Sequence, residues 1–390
     1  MRDPQNLAVL RRHCSMRRML LGWVYVAMVA CGDNEIANTP LPQAVDAGGP
    51  VLASPFWAAI TFPDDPVAAD IAAFLGKLGR STYWTDVMRE YGVGQGSLTV
   101  VHATAPAPDS DPTVKDFLAA HLKPLAPGWP APEDDIVYVL YTPASSAFDC
   151  NSLAGYHSEL QVDGRDIPYV VVPRCSYGLD PLEELAQVTT HELVEAATDP
   201  LWSRAPAYLN ASNAAWQTYD NGGELADLCQ RVPSAAYIDP ELGHRVQRVW
   251  SNVEAAAGHD PCVPHPAGGT YFQAAPLALE PLVLTIRNTA VATPGLHIPI
   301  GTSRTVEIKL LADGETPPIA VSAQRFPGET VGGLPDDVVL SWDRTTGDAG
   351  ETLHLSIGIA ADSAGAGHEY VVITSQVGDV QHTWPVAIAN

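Results

Sequence analysis

The sequence predicts two folded units of different class: a mixed α/β or α+β unit over residues 53–264, then an all-β sandwich over 265–390. Two observations carry this. Across 53–264, apolar runs of strand length (96–102, 135–141, 167–172) interleave with helical patterns (67–78, 113–121, 182–198). Beyond 265 the helical period disappears, and stretches such as 305–310, 353–359 and 369–374 alternate apolar with polar residues. Gly and Pro clusters separate these stretches at the spacing of a sandwich, read here as immunoglobulin-like. Pro385 falls inside the last stretch, 383–388, and a proline without an N–H predicts an edge strand there.

The N-terminal segment precedes both units. Met16-Arg17-Arg18-Met19 is followed by an apolar run over 20–30 and then by Cys31-Gly32-Asp33. Basic residues, a short apolar core and small residues before a cut make a signal peptide. Met28-Val29-Ala30-Cys31 resembles a bacterial lipobox, in which Cys31 carries the lipid and becomes the first mature residue. A start at Met16 leaves residues 1–15, with Cys14, outside that signal. The competing reading, a membrane-spanning anchor, needs about 20 apolar residues, and this run is shorter. Residues 31–52, rich in Ala, Pro, Gly and Asp, read as a flexible tether.

Charge and cysteines agree with export. Removing residues 1–30 leaves 16 basic and 44 acidic residues, a net charge of −28. That argues against nucleic acid and against polybasic contact with anionic lipid, leaving the lipid on Cys31 as the membrane link. The cysteines after Cys31 are Cys150, Cys175, Cys229 and Cys262. Four cysteines allow three pairings, and the shortest loops come from Cys150–Cys175 and Cys229–Cys262. A zinc-thiolate site is the rival reading, but no CxxC spacing occurs.

The segment from Asp180 to Pro200 carries the chemistry. Asp180 suits a helix cap, Pro181 the first helical position, and Glu183 a box-like partner. Pro200 disfavours helix at Asp199. At about 100° per residue, Leu182, Leu185, Ala186, Thr189, Leu193, Ala196 and Ala197 share one side. Glu184, Gln187, Val188, His191, Glu192, Glu195 and Thr198 share the other. His191 and Glu195 are four apart, so they project from adjacent turns in one direction. The segment His191-Glu192-Leu193-Val194-Glu195 is HExxE, a variant of the HExxH pattern in which two histidines hold zinc and the intervening Glu works on a metal-bound water. Carboxylates also bind zinc, so His191 and Glu195 are candidate ligands and Glu192 the candidate general base. The bland alternative is a solvated polar helix face. A second acidic cluster follows Asn221-Gly222-Gly223: Glu224 and Asp227, three apart, either of which completes the ligand set. Its bland alternative is a turn and an ordinary capped helix.

The segments 191–200 and 224–229, Cys150 followed by Gly155-Tyr156-His157, and Pro168-Tyr169-Val170-Val171 before Cys175 resemble the EXORDIUM family of phosphate-induced secreted proteins and its microbial relatives, over about residues 55–264. The resemblance implies an extracellular, disulfide-bonded domain and no particular reaction. Plant members mostly lack the His-Glu pair, which this chain keeps, as a zincin-like member would. Where the family often places another cysteine after Cys150, this chain has Asn151-Ser152-Leu153-Ala154.

His157, His244 and His259 are single histidines without ligand spacing, read as surface or hydrogen-bonding residues. No GxSxG, dinucleotide fingerprint, phosphate-cradling loop or EF-hand pattern occurs. The leading expectation is therefore a lipid-anchored, extracytoplasmic metal-dependent hydrolase with a zincin-like main domain. Zinc is its metal, because a His ligand disfavours calcium or magnesium, and a peptide or cell-wall or matrix polymer its substrate. The alternative is a non-catalytic surface lipoprotein in which the same residues form a structural polar or ion site and the sandwich binds glycans.

Overall fold

The run Ile136–Tyr141 is buried at every position, which a strand achieves only when both faces of its sheet are covered. The computed structural model shows why. It describes residues 41–390 apart from 64, 105, 144–147, 152, 267, 287–288, 327–337 and 362–366; the signal peptide, Cys31 and residues 31–40 lie outside the described residues. Five strands, β1 Phe56–Thr61, β2 Ser97–His102, β3 Ile136–Tyr141, β4 Tyr156–Val162 and β5 Arg165–Val172, form one sheet in the order β2-β1-β3-β5-β4. The first four of that order run parallel, and β4 pairs antiparallel with β5 at the edge. Asp163 and Gly164 turn the β4–β5 hairpin, both at positive φ, the conformation a two-residue Asp-Gly turn requires.

Helices cover both faces. On one face α1 (Ala68–Leu78), α2 (Thr82–Met88) and α4 (Pro181–Thr198) pack Phe74, Leu75, Trp84, Leu185 and Leu193 with Trp57, Val139 and Val170. On the other, α3 (Asp111–Leu122) places Val114, Phe117 and Leu118 with Ile60, Tyr138 and Leu140. Short helices α5 (Ala214–Asp220), α6 (Asp227–Gln230) and α7 (Asn252–Ala257) complete the unit. The mixed α/β expectation holds, with helix and strand bounds within a few residues of the pattern. Both expected disulfides are present: Cys150–Cys175 with S–S 2.03 Å and Cys229–Cys262 with 2.11 Å. Closing loops of this length contributes about 3–4 kcal/mol each in the chain-entropy picture. Such bridges persist in oxidising, extracytoplasmic compartments. Among the described residues no helix is long and apolar enough to cross a membrane.

The C-terminal unit is a sandwich of two sheets. β6 (Phe272–Pro276), β7 (Glu280–Ile286), β8 (Thr289–His297), β9 (Ser303–Ala312), β10 (Ile319–Phe326), β11 (Val338–Trp342), β12 (Thr346–Gly347), β13 (Thr352–Ile359), β14 (His368–Val377) and β15 (Val380–Ala389) order as β6-β9-β13-β11 and β7-β8-β15-β14-β10-β12. Ile308, Leu310, Leu355 and Ile357 of the first sheet meet Val321, Val371, Ile373 and Val386 of the second in one core.

Two expectations are corrected. β15 is not an edge strand: it lies between β8 and β14. Its ladder to β8 begins only at Ala387, two residues past Pro385, so the missing N–H forfeits no ladder bond on that side. Residues 41–52 are not loose tether. Leu41, Ala44 and Leu52 are buried, Val45–Asp46 pairs with Tyr208–Leu209, and Leu52 N donates to Ala197 O at 2.9 Å. The two units share one core: Trp216 meets Trp250 edge-on at 5.6 Å and Trp384 of β15 at 6.0 Å.

Candidate functional site

α4 begins and ends where its caps dictate. The Asp180 carboxylate accepts from Leu182 N at 3.0 Å, Pro181 fills the first helical position, and the helix stops at Thr198 before Pro200. Glu183 does not close a capping box; it reaches sideways to Arg245 N (2.5 Å) and His244 Nδ1 (3.0 Å). Glu184 instead accepts from the entering loop, at Tyr177 N (2.6 Å) and Leu179 N (2.8 Å).

The side of α4 that reads as polar is not solvated. Glu184, Glu192, Glu195 and Thr198 are buried, Glu195 at 4% exposure. Edge strand β4 and the strand Arg245–Gln247 flank it. Six ionisable side chains converge there. His191 Nε2 lies 3.2 Å from Glu195 Oε1 and 3.7 Å from Asp227 Oδ1. His157 Nδ1 lies 3.5 Å from Glu195 Oε2, and its Nε2 lies 3.2 Å from Glu224 Oε1. Glu192 Oε2 is 3.7 Å from His157 Nδ1. They border an open cleft of about 390 Å³ with Leu153, Gly155, Val188 and Trp202 on its walls.

The flanking residues hold this arrangement in place. Gln247 donates its side-chain N–H to Ala226 O at 2.7 Å, which leaves its Oε1 facing His191 Nδ1 at 3.1 Å. Nδ1 of His191 therefore carries a proton, and Nε2 points at Glu195 and Asp227, where a metal would take the place of its other proton. Asp227 receives Gln230 Nε2 at 3.0 Å, and its own N–H donates to Glu195 Oε1 at 3.3 Å. The Cys229–Cys262 bridge anchors α6, on which Asp227 sits. Two glycines make room. A Cβ on Gly222 would overlap the Asp227 carboxylate, and one on Gly155 would stand 2.5 Å from Val188 Cγ1 and 3.0 Å from Glu192 Oε1.

Crowding shifts the titrations apart. Burial opposes charge on His157, but Glu224, Glu192 and Glu195 outweigh it and hold the imidazole well above its usual range. His191 behaves alike: burial opposes, and Glu195 leads the carboxylates that prevail. Burial works against ionised Glu195 too, yet His191 and His157 hold its carboxyl down at about 2. Burial pushes Glu224 up to about 7, with His157 opposing, and holds Asp227 well above the usual range, reinforced by Glu195. Asp199, at the end of α4, is pushed up to about 6 by burial.

All of the expected site residues on the folded chain, His191, Glu192, Glu195, Glu224 and Asp227, line this one cleft. Sequence reasoning missed His157 and Gln247. His157 is no surface residue: it is buried on edge strand β4, facing α4. His244 and His259 do make the hydrogen bonds expected of single histidines, to Glu183 and Asp313. The donor chemistry fits a cation. Two imidazoles and four carboxylates are gathered where each charge has lost solvent, and imidazole with carboxylate is a donor set for zinc and its neighbours.

No family model matches the chain, and no curated protein matches it. Solved structures show only partial likeness. A family 123 glycoside hydrolase from Clostridium perfringens aligns at TM-score 0.20 and 11% identity, over 24% of this chain and 22% of that enzyme. A conjugative transposon lipoprotein from Bacteroides eggerthii aligns at TM-score 0.19 and 11% identity, over 29% of this chain and 95% of the other. A PapD-like domain of human CEP192 aligns at TM-score 0.20 and 10% identity, over 33% and 89%.

Proposed function

We propose that this chain is a secreted lipoprotein, anchored through Cys31, whose main domain is a zincin-like, metal-dependent hydrolase acting outside the cytoplasm. The observation that carries the reading is the orientation of His191: Gln247 occupies its Nδ1, and its Nε2 faces Glu195 and Asp227 within 3.7 Å. These three residues would hold a zinc ion, with Asp227 rather than Glu224 completing the His191–Glu195 pair. When bound, zinc supplies Lewis acidity to a water or a substrate carbonyl. Glu192, one residue along the helix and buried beside Gly155, would accept a proton from water and pass it to a leaving amine. Trp202, 50% exposed on the cleft wall, offers an apolar face to a peptide or wall-polymer substrate. The resemblance to microbial EXORDIUM relatives stays within this proposal, because segments 155–157, 191–200 and 224–229 all contribute residues that surround the cleft.

The test uses the full chain, loaded with zinc and desalted. Glu192→Gln should retain the metal and lose casein or wall-peptide hydrolysis by about 10²–10⁴-fold. His191→Ala should lose both. Wild-type protein that takes up no zinc at micromolar concentration rules the hydrolase out. For the anchor, Cys31→Ser should release the protein from membranes; a variant still in the membrane fraction after alkaline washing would count against lipidation.

A further inference from the structure

Glu195 turns its two carboxylate oxygens toward two different histidines. Oε1 lies 3.2 Å from His191 Nε2, and Oε2 lies 3.5 Å from His157 Nδ1. Among the described residues, donor atoms within 4.8 Å of one another sort into two triads, His191–Glu195–Asp227 and His157–Glu195–Glu224, which share only Glu195. We infer that the cleft is built for two divalent transition-metal ions, one in each triad, with the Glu195 carboxylate bridging them. The inference deepens the hydrolase reading and rests on it for the first ion.

An independent observation points to the second ion. His157 is more than nine-tenths buried, and its Nε2 has no hydrogen-bond partner; Glu224 Oε1, only 3.2 Å away, has none either. A structural His–Glu pair aligns its N–H with an oxygen lone pair, because a buried polar group left unpaired is costly. Two ligands of one ion do otherwise. Their lone pairs converge on the ion instead of on each other, so they stand about 3–3.5 Å apart, as ligands with bonds of about 2.0–2.2 Å must, without hydrogen-bonding. Formal charge points the same way. Glu192, Glu195, Glu224 and Asp227 bring four negative charges into the cleft walls, and with neutral imidazoles one divalent ion leaves two of them uncompensated, whereas two balance the set. Carboxylate-bridged ions about 3.5–4 Å apart are an established arrangement for clamping attacking and leaving oxygens.

Metal counting on the full chain decides the question. Chelated protein is titrated with cobalt(II), desalted, analysed for metal, and examined by electron paramagnetic resonance. Two cobalt ions per chain with a spin-coupled spectrum is the expected result. Glu224→Gln and His157→Asn should each drop the count to one and abolish coupling, while the remaining ion's affinity changes less than tenfold. Glu195→Gln should lose coupling and both tight sites. The wild-type titration decides even where a variant misfolds. One ion per chain overturns the second site and leaves the hydrolase reading standing. Two uncoupled ions overturn the bridge, and none overturns both proposals.

Discussion

Two buried histidines, one in each unit, have opposite fates. His382 of the sandwich sits edge-on against Tyr271 (4.8 Å) and Phe272 (4.9 Å); burial holds its imidazole below the usual range, against the pull of Asp260 and Asp313. His157 is as deeply buried, yet the carboxylates around it hold it above that range. The same contrast runs through the buried acids. In the sandwich, Glu369 is gripped at both oxygens by Arg325, Nε at 3.1 Å and Nη2 at 3.5 Å. In the cleft, Glu195 and Glu224 compete for His157, and unpaired polar atoms remain. The sandwich resolves buried polarity pair by pair, as structure demands. The cleft leaves it unresolved, which folding alone does not reward and a bound cation would.

Metal should therefore separate the regions most sharply. Saturating zinc at a thousandfold its dissociation constant should stabilise the fold by about 4 kcal/mol through mass action. Amides that exchange by local opening should slow in α4 and α6 and change little in β14 and β15. Local exchange in α4 and α6 left unchanged by zinc would mean the ion binds elsewhere.

The same substitution should then act with opposite sign in the two places. Glu369→Gln leaves Arg325 half-paired and should cost about 3 kcal/mol in denaturant unfolding. Glu224→Gln in chelated protein removes one of four crowded carboxylates and should raise the midpoint. A loss at both positions would show the cleft to be an ordinary structural network.

Much of this is legible in the sequence. HExxE on a capped helix, two acids three apart after a Gly-Gly turn, and the neighbour-paired cysteines are local patterns, and local patterns survive folding. His157 was not legible because its role depends on the β4–β5 hairpin, whose pairing sets His157 opposite Val170, on the sheet face that α4 covers. The usable signal was period two: Tyr156, Leu160 and Val162 pack on the α3 side, which sends His157 to the other. Gln247 lies 56 residues from His191 and had no such signal. Pro385 misled because a proline blocks pairing only where its N–H would have been used.

A smaller effect tests how closely the cleft is fitted. Gly222→Ala drives a methyl into the Asp227 carboxylate and should cost about 2 kcal/mol and at least tenfold in zinc affinity. Gly76→Ala in α1, where an added Cβ meets nothing within 4 Å, should gain about 0.5–1 kcal/mol. If Gly222→Ala binds zinc like wild type, Asp227 is not a ligand.

The smallest expected effect concerns Asp220, a buried carboxyl at the end of α5 whose Oδ2 has no partner, and which no triad uses. Burial holds it well above its ordinary value of 3.8, with Arg231 opposing. The folded protein therefore keeps a proton that the unfolded chain gives up near pH 4. Stability from this group is present at lower pH and falls as pH rises through the folded value. Asp220→Asn imitates the protonated form, so it should match wild type at pH 3.5 and exceed it at neutral pH. Thermal unfolding of both proteins across that range, in chelator, measures the difference. Parallel profiles would mean that Asp220 finds compensation in the folded protein, and that an unpaired buried oxygen is not by itself a sign of unresolved charge. The case for the cleft would then stand on its convergent geometry alone.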